Sequence, residues 1–486
     1  MSGAGLGKGA TALRRGRRRR EDHTPDRRGP GRVGGAGKGP ESAERERQER
    51  SRSRRRDRWA RRRQLRPISG LKRVQQCGHK IGGPDVCPTL GVITNRDGTR
   101  SAAYGGLKHC GSVWTCPVCA VKIATCRADD LATVMRAVHE RGGSAFMLTL
   151  TMRHGRGDRL GLSTTERRRR DLLEERRADR EVAEANGWDV DERAAEAEEI
   201  ELAGIKAREG SWDVLGYAWA AVTSGSTWVK DSALFGGLLG WARVVEVTDG
   251  ANGWHVHVHA LLCFADDVSA ELVAAGIGAR IFGRWLRALE RKGFDASDEH
   301  GWDLRKAQLG EGDLADYFTK MAHEVTGASQ KDGRARGGRT PMQLLADAVD
   351  TYRADDLARW WEWEEASDGR RQLTWSRGQR DLRALARLDR EATDAEIAEE
   401  DQEADARLGL IADTWNWLSA GRREVDLLEV AETRGVAGAR QWLEERDLRY
   451  TELCQSRDQA GPTNRRACLS TSSGPPSSWA LNGAGR

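Results

Sequence analysis

The segment Gly253-Trp254-His255-Val256-His257-Val258-His259-Ala260-Leu261-Leu262 decides the fold. Valine and leucine favour strands, and a strand sends alternate side chains to opposite faces. His255, His257 and His259 then line one face, with Val256, Val258 and Ala260 on the other. Imidazoles two residues apart on a strand converge on one divalent cation. The plainer alternative is a row of hydrogen-bonded surface histidines. Three of the chain's ten histidines share this one face, beside an apolar run, which favours the metal.

Outward from it, residues 242–248 read as a second strand. Asp249-Gly250-Ala251-Asn252-Gly253 between the two is a turn sequence, so the pair is a predicted β-hairpin. Pairing across a five-residue turn sets Glu246 opposite His255 to His257, on their face. A carboxylate beside imidazoles suits Mg²⁺ or Mn²⁺; the alternative is an exposed hairpin carboxylate. Upstream, residues 145–151 read as a buried strand. Residues 127–141 read as a helix, with Leu131, Val134, Met135 and Val138 at helical spacing. Downstream, Ile281, Trp285, Leu286 and Leu289 share one face of another helix.

A further helix is expected over residues 311–325. Leu314, Phe318, Met321 and Val325 form its apolar stripe, and Asp313, Tyr317, Lys320 and Glu324 a polar one. A phenol and an ammonium thus stand side by side between carboxylates. A phenol becomes a competent nucleophile beside a cation or a metal-bound phosphate. Taken alone, this helix reads equally as a surface tyrosine with a Lys320–Glu324 pair.

The charge is unevenly spread. In residues 1–73 Lys and Arg outnumber Asp and Glu by 25 to 8, while the remainder carries 55 against 66. Runs such as Arg17-Arg18-Arg19-Arg20 among Gly, Pro and Ser build no core. Residues 1–73 are therefore expected to be a disordered basic arm, either attracted to DNA or simply solvated. No window approaches the roughly 18–20 apolar residues of a membrane span. The basic N-terminus lacks the apolar stretch of a secretory signal. A cytoplasmic location is expected.

Five of the nine cysteines fall between Cys77 and Cys119. In a long, unsecreted chain that favours a metal site over disulfides. Cys116-Pro-Val-Cys119 is a knuckle; with Cys110 and Cys77 it closes a four-thiolate structural Zn²⁺ site. Cys87 and His79 are competing ligands.

The strand Phe146-Met-Leu-Thr-Leu-Thr-Met-Arg-His154, the strand His257-Val258-His259 and Tyr317-x-x-Lys320 resemble, in type and order, the three motifs of the HUH endonuclease superfamily. The likeness is strongest to rolling-circle plasmid replication initiators (Rep proteins) of the actinobacterial and Gram-positive type. Cys110-Gly-Ser-Val-Trp-Thr-Cys116, Glu246-Val-Thr-Asp-Gly-Ala-Asn-Gly-Trp-His255, Arg339-Thr-Pro-Met-Gln-Leu-Leu345 and Trp375-Ser-Arg-Gly378 add to it. The resemblance implies an α+β fold: a central antiparallel sheet flanked by helices, with an N-terminal Cys-rich zinc module and a C-terminal helical region. It implies a divalent catalytic ion held by His257, His259 and Glu246, with His255 matching a family variant. It further implies Tyr317 as nucleophile, giving a 5′-phosphotyrosine and a free 3′-OH, with Lys320 stabilising negative charge. Asp313 stands where some relatives place a carboxylate base for termination. The expected partners are single-stranded or cruciform origin DNA, a host helicase and a polymerase. An HUH transposase or a mobilisation relaxase is the alternative within the class, and a non-catalytic zinc-dependent DNA-binding regulator the one outside it. Tyr317 follows the histidines, whereas many relaxases place it ahead of them.

The expected organisation is an arm (1–73), a zinc module (74–126), a nuclease domain (127–335) with a charged helical insertion (162–210), a Trp-rich helical region (336–450) and a disordered tail (451–486). Residues 415–448 read as a helical hairpin, with a DNA-reading helix-turn-helix as the alternative.

Overall fold

The histidine strand lies at the centre of an antiparallel sheet. In the computed structural model the described residues are 40–83, 86–95, 98–234, 237–307, 338–399 and 406–453. Among them ten strands form: β1 (Thr89–Thr94), β2 (Arg100–Gly105), β3 (Ser144–Thr151), β4 (Leu238–Gly250), β5 (Gly253–Phe264), β6 (Trp302–Lys306), β7 (Gly338–Arg339), β8 (Leu373–Trp375), β9 (Ala406–Leu410) and β10 (Tyr450–Leu453). Six of these make the main sheet, ordered β6-β3-β5-β4-β7, with β8 also paired to β4. The other four make a second sheet, ordered β10-β9-β1-β2. Every pairing is antiparallel. The chain is thus a mixed α+β structure. Its contacts divide it into Met1–Arg50 and Ser51–Arg486, and both sheets belong to the second unit.

The β4–β5 hairpin forms where the sequence pattern places it, with a tighter turn. Gly250 pairs with Gly253, so Ala251 and Asn252 alone make the bend, in place of the five residues expected. Gly253, the residue just after the bend, has φ 88°, a left-handed conformation that glycine adopts without strain. A side chain there would also strike Gly155 O and the Arg156 Cα.

The two faces of the main sheet differ. Val256, Val258, Ala260, Leu262 and Phe264 of β5, with Phe146, Leu148 and Leu150 of β3, are buried in the largest core. The helices Ser211–Val222 and Ala279–Glu290 complete it with Trp212, Leu215, Trp219, Ile281, Trp285 and Leu289. Each such side chain contributes about 1.5–3 kcal/mol when fully removed from water. On the opposite face, Leu261 and Cys263 pack with Leu131, Val134, Met135 and Val138 of the helix Pro117–His139. That helix covers one end of the face, and the histidines occupy the other.

Several boundaries differ from the sequence reading. Within the stretch read as a disordered arm, Pro40–Leu65 is a helix. Trp59 and Leu65 are buried. Arg55, Arg56, Arg61 and Arg63 pair with Glu432, Glu429, Asp350 and Glu424, so distant acids neutralise a run that looks unfoldable by composition. Residues 1–39 lie outside the described residues. The cysteines stand in the main core, and the β1–β2 hairpin between Cys77 and Cys110 pairs with β9. The C-terminal region holds four strands, β7 to β10, among its helices. Residues 451–453 of the tail belong to β10 (Tyr450–Leu453); the rest lie outside the described residues.

Residues 162–210 hold two charged helices. Thr164–Ala185 starts with a Ser163/Glu166 capping box, and Glu192–Lys206 with an Asp191 cap. They share a small core of Leu162, Leu173, Leu202 and Ile205. Further on, the helix Glu424–Glu444 kinks at Gly435 (φ 68°). Its exposed residues are Thr433, Arg434, Ala437, Gln441 and Glu444, a face of mixed charge.

Candidate metal centres

The register of β4 and β5 sets Glu246 directly across from His257. The Glu246 Oε2 lies 2.8 Å from His257 Nε2 and 2.8 Å from His259 Nε2. The three donor atoms lie within 4.8 Å of one another. The side chains are 12%, 14% and 21% exposed for His257, His259 and Glu246, enough for a substrate to reach and too little for water to dominate. Burial by itself would raise the Glu246 carboxyl. Hydrogen bonds from His257 and His259 outweigh it and hold the group ionised, well below the ordinary carboxylate range.

β3 supplies a support that the sequence reading missed. Thr149 pairs with His259, and its Oγ1 lies 3.0 Å from His259 Nδ1. A bond to that nitrogen orients the ring and leaves Nε2 for a metal. The His257 Nδ1 is buried with no partner among the described residues.

His255 shares the face but stands outside the triad. Its ring is 4.9 Å from that of His257, and its Nδ1 lies 2.9 Å from His154 Nε2. Burial, then the neighbouring His257 and His154, push its pKa down to about 4, so it is neutral near pH 7. Asp313, Tyr317 and Lys320 lie outside the described residues. They fall in the connection between β6 and β7, which flank β3 and β4 on either side of the histidine strand.

The second constellation is a cluster of four cysteines. The Cys77 Sγ is 3.7 Å from Cys116 and 3.7 Å from Cys119, and Cys110 is 3.7 Å from Cys119. A tetrahedron with Zn–S near 2.3 Å spaces its sulfurs at about 3.8 Å, so the set fits that ion. All four are buried, with exposures from 0% to 6%. Hydrogen bonds from the three neighbouring thiols pull Cys119 well below the usual thiol range, towards the ligating thiolate. Arg66 donates to the Cys77 carbonyl and Arg73 to the Cys110 carbonyl, bringing positive charge to the cluster. Cys87 and His79 stay outside it.

Tryptophans connect the two constellations. Trp114, between Cys110 and Cys116, meets Trp212 at 4.9 Å and Trp363 at 5.8 Å between ring centroids. Trp363 donates its Nε1–H to Trp114 O at 3.2 Å and lies 6.1 Å from Trp254, the neighbour of His255.

No family model and no solved structure matches this chain. Among curated proteins it is similar to a Streptomyces lividans protein named "Protein rep", with 29% identity over 405 residues, 72% of this chain and 80% of that protein. It is also similar to a Streptomyces cyanogenus "Neomycin resistance protein", with 29% identity over 180 residues, 36% of this chain and 35% of that protein. No helix among the described residues is long and apolar enough to cross a membrane.

Proposed function

We propose that this chain is a plasmid replication protein of the Rep type that starts rolling-circle replication by nicking one origin strand. The coarse part rests on likeness to a protein named for replication over most of both chains. The observation that carries the nuclease part is the Glu246–His257–His259 set on one accessible sheet face.

These three residues are suited to hold Mg²⁺ or Mn²⁺, which when bound supplies Lewis-acid polarisation of a phosphate oxygen. The Tyr317 phenolate attacks the scissile phosphorus. A Tyr O–P bond forms, the P–O3′ bond breaks, and the released 3′ oxygen takes a proton. The product is a 5′-phosphotyrosine and a 3′-OH primer. Lys320 lowers the cost of the phenolate. Asp313 serves as base for the water that ends the cycle. Thr149 orients the His259 ring through Nδ1, and Glu246, ionised at neutral pH, needs no deprotonation first. Such a site requires unpaired DNA, from a single-stranded or cruciform origin, and a host helicase and polymerase extend the primer. Cys77, Cys110, Cys116 and Cys119 hold a structural Zn²⁺. The protein works in the cytoplasm.

The test is cleavage of a single-stranded origin oligonucleotide by purified protein with Mn²⁺. The expected product is a covalent adduct at the 5′ end of the cut. If Tyr317→Phe cuts as well as the parent, the nucleophile is another residue.

A further inference from the structure

The histidine face continues past the metal triad. From His259 and His257 it runs to His255 and, at ring-centroid distances of 4.9 Å each, on to His154. His154 lies in the loop between β3 and the helix Thr164–Ala185. This loop is fastened to the hairpin tip at three points. The His154 Nδ1 lies 3.0 Å from Asn252 O. Its Nε2 lies 2.9 Å from His255 Nδ1. The Gly155 carbonyl and the Arg156 Cα pack where a Gly253 side chain would otherwise stand, and Gly253 is on the same face as the histidines.

Four charged residues follow β3 on this loop: Arg153, Arg156, Asp158 and Arg159. Arg153 pairs with Asp295 at 3.3 Å. Asp158 turns inward and accepts from the Gly155 backbone N–H at 2.6 Å. Arg159 faces Glu166. Arg156 is exposed and has no hydrogen-bond or ion-pair partner among the described residues. A solvated arginine on a free loop carries no message. This one sits on backbone pinned against the metal-bearing face.

We propose that Arg156 binds a phosphodiester of the single-stranded substrate, adjacent to the phosphate held at Glu246, His257 and His259. Guanidinium groups bind phosphate oxygens bidentately and stay charged at every relevant pH. His154 is the positioning residue that fixes the loop. The proposal rests on the nuclease reading, and it adds the direction in which the strand runs: over the hairpin tip, past His255.

Binding without chemistry tests it. The probe is a fluorescein-labelled oligothymidylate, the background Tyr317→Phe, and the buffer free of divalent metal. Anisotropy is read across a series of salt concentrations. Arg156→Ala is expected to weaken binding about tenfold at low salt and to flatten the slope of log K against log salt by about 0.7, the loss of one single-strand phosphate contact. Arg156→Lys is expected to keep the slope. Arg168→Ala, an exposed arginine on the insertion, is expected to change neither. A parental slope and affinity in Arg156→Ala overturn this proposal alone. Absence of binding by the Tyr317→Phe background overturns the nuclease reading as well.

Discussion

The two metal-shaped clusters differ in exactness of enclosure and in chemistry. The four sulfurs come from three stretches of chain, are sealed from solvent, and already stand at tetrahedral spacing. The carboxylate and two imidazoles come from one hairpin, keep one side open, and crowd onto a single oxygen. A closed site of soft donors stabilises a fold, whereas an open site of hard and borderline donors leaves room for a substrate. The tryptophans between them tie the sealed cluster to the strand that bears the open one.

Disruption of the sealed cluster should have the largest effect. Cys119→Ser should cost about 5 kcal/mol or more of folding stability, read as loss of bound zinc and a collapse of the melting transition. It should also abolish nicking, because the tryptophan stack loses its footing. A folded, zinc-free, active variant would refute the structural role. At the open cluster the effects should separate. His257→Ala should slow nicking about a thousandfold, ~4 kcal/mol in barrier height, with a melting temperature close to the parent's. A large fall in melting temperature would show that the triad holds the fold together instead.

Smaller changes sharpen the contrast. Thr149→Val keeps the strand and removes the bond to His259, so Mn²⁺ affinity by calorimetry should fall about 10- to 100-fold, while zinc content stays unchanged. Acid should act on the open cluster too. The Glu246 carboxyl is lower in the folded chain than in the unfolded one. Its stabilising effect is therefore complete above the ordinary carboxylate pKa and is lost as pH falls through the depressed value. Melting of metal-free protein from about pH 6 to about pH 3 should show a steeper loss in the parent than in Glu246→Gln. Equal slopes would mean that the two histidines do not hold that carboxylate ionised.

What was legible in the sequence was local. The period of two in residues 253–262 and the glycine-flanked turn place β4 and β5, and the turn then sets Glu246 against His257. The bend is shorter than expected because Gly250 already pairs with Gly253. The spacing of Cys116 and Cys119 is local as well, whereas Cys77 and Cys110 join them across the β1–β2 hairpin. What escaped was long-range. Arg55 and Arg56 look like a solvated run until Glu432 and Glu429 are brought beside them. β9 is five residues in a stretch that composition reads as helical, and it becomes a strand because β1 offers it an edge. Thr149 carries no signal of its own, since its role depends on the register of β3 against β5. The tyrosine half of the proposed site lies outside the described residues, so it stands on the sequence pattern alone.

The pairing of β1 with β9, and of β9 with β10, also imposes an order of events during synthesis. When the ribosome has made the cysteines and the histidine strand, the edge of β1 still has no neighbour. Its partner β9 follows β1 by more than three hundred residues. Closing so long a span is slow, and the arginines of the first helix wait for their acids over the same interval. A chain cut short before β9 would therefore present the six-stranded sheet with the edge of β1 still unpaired.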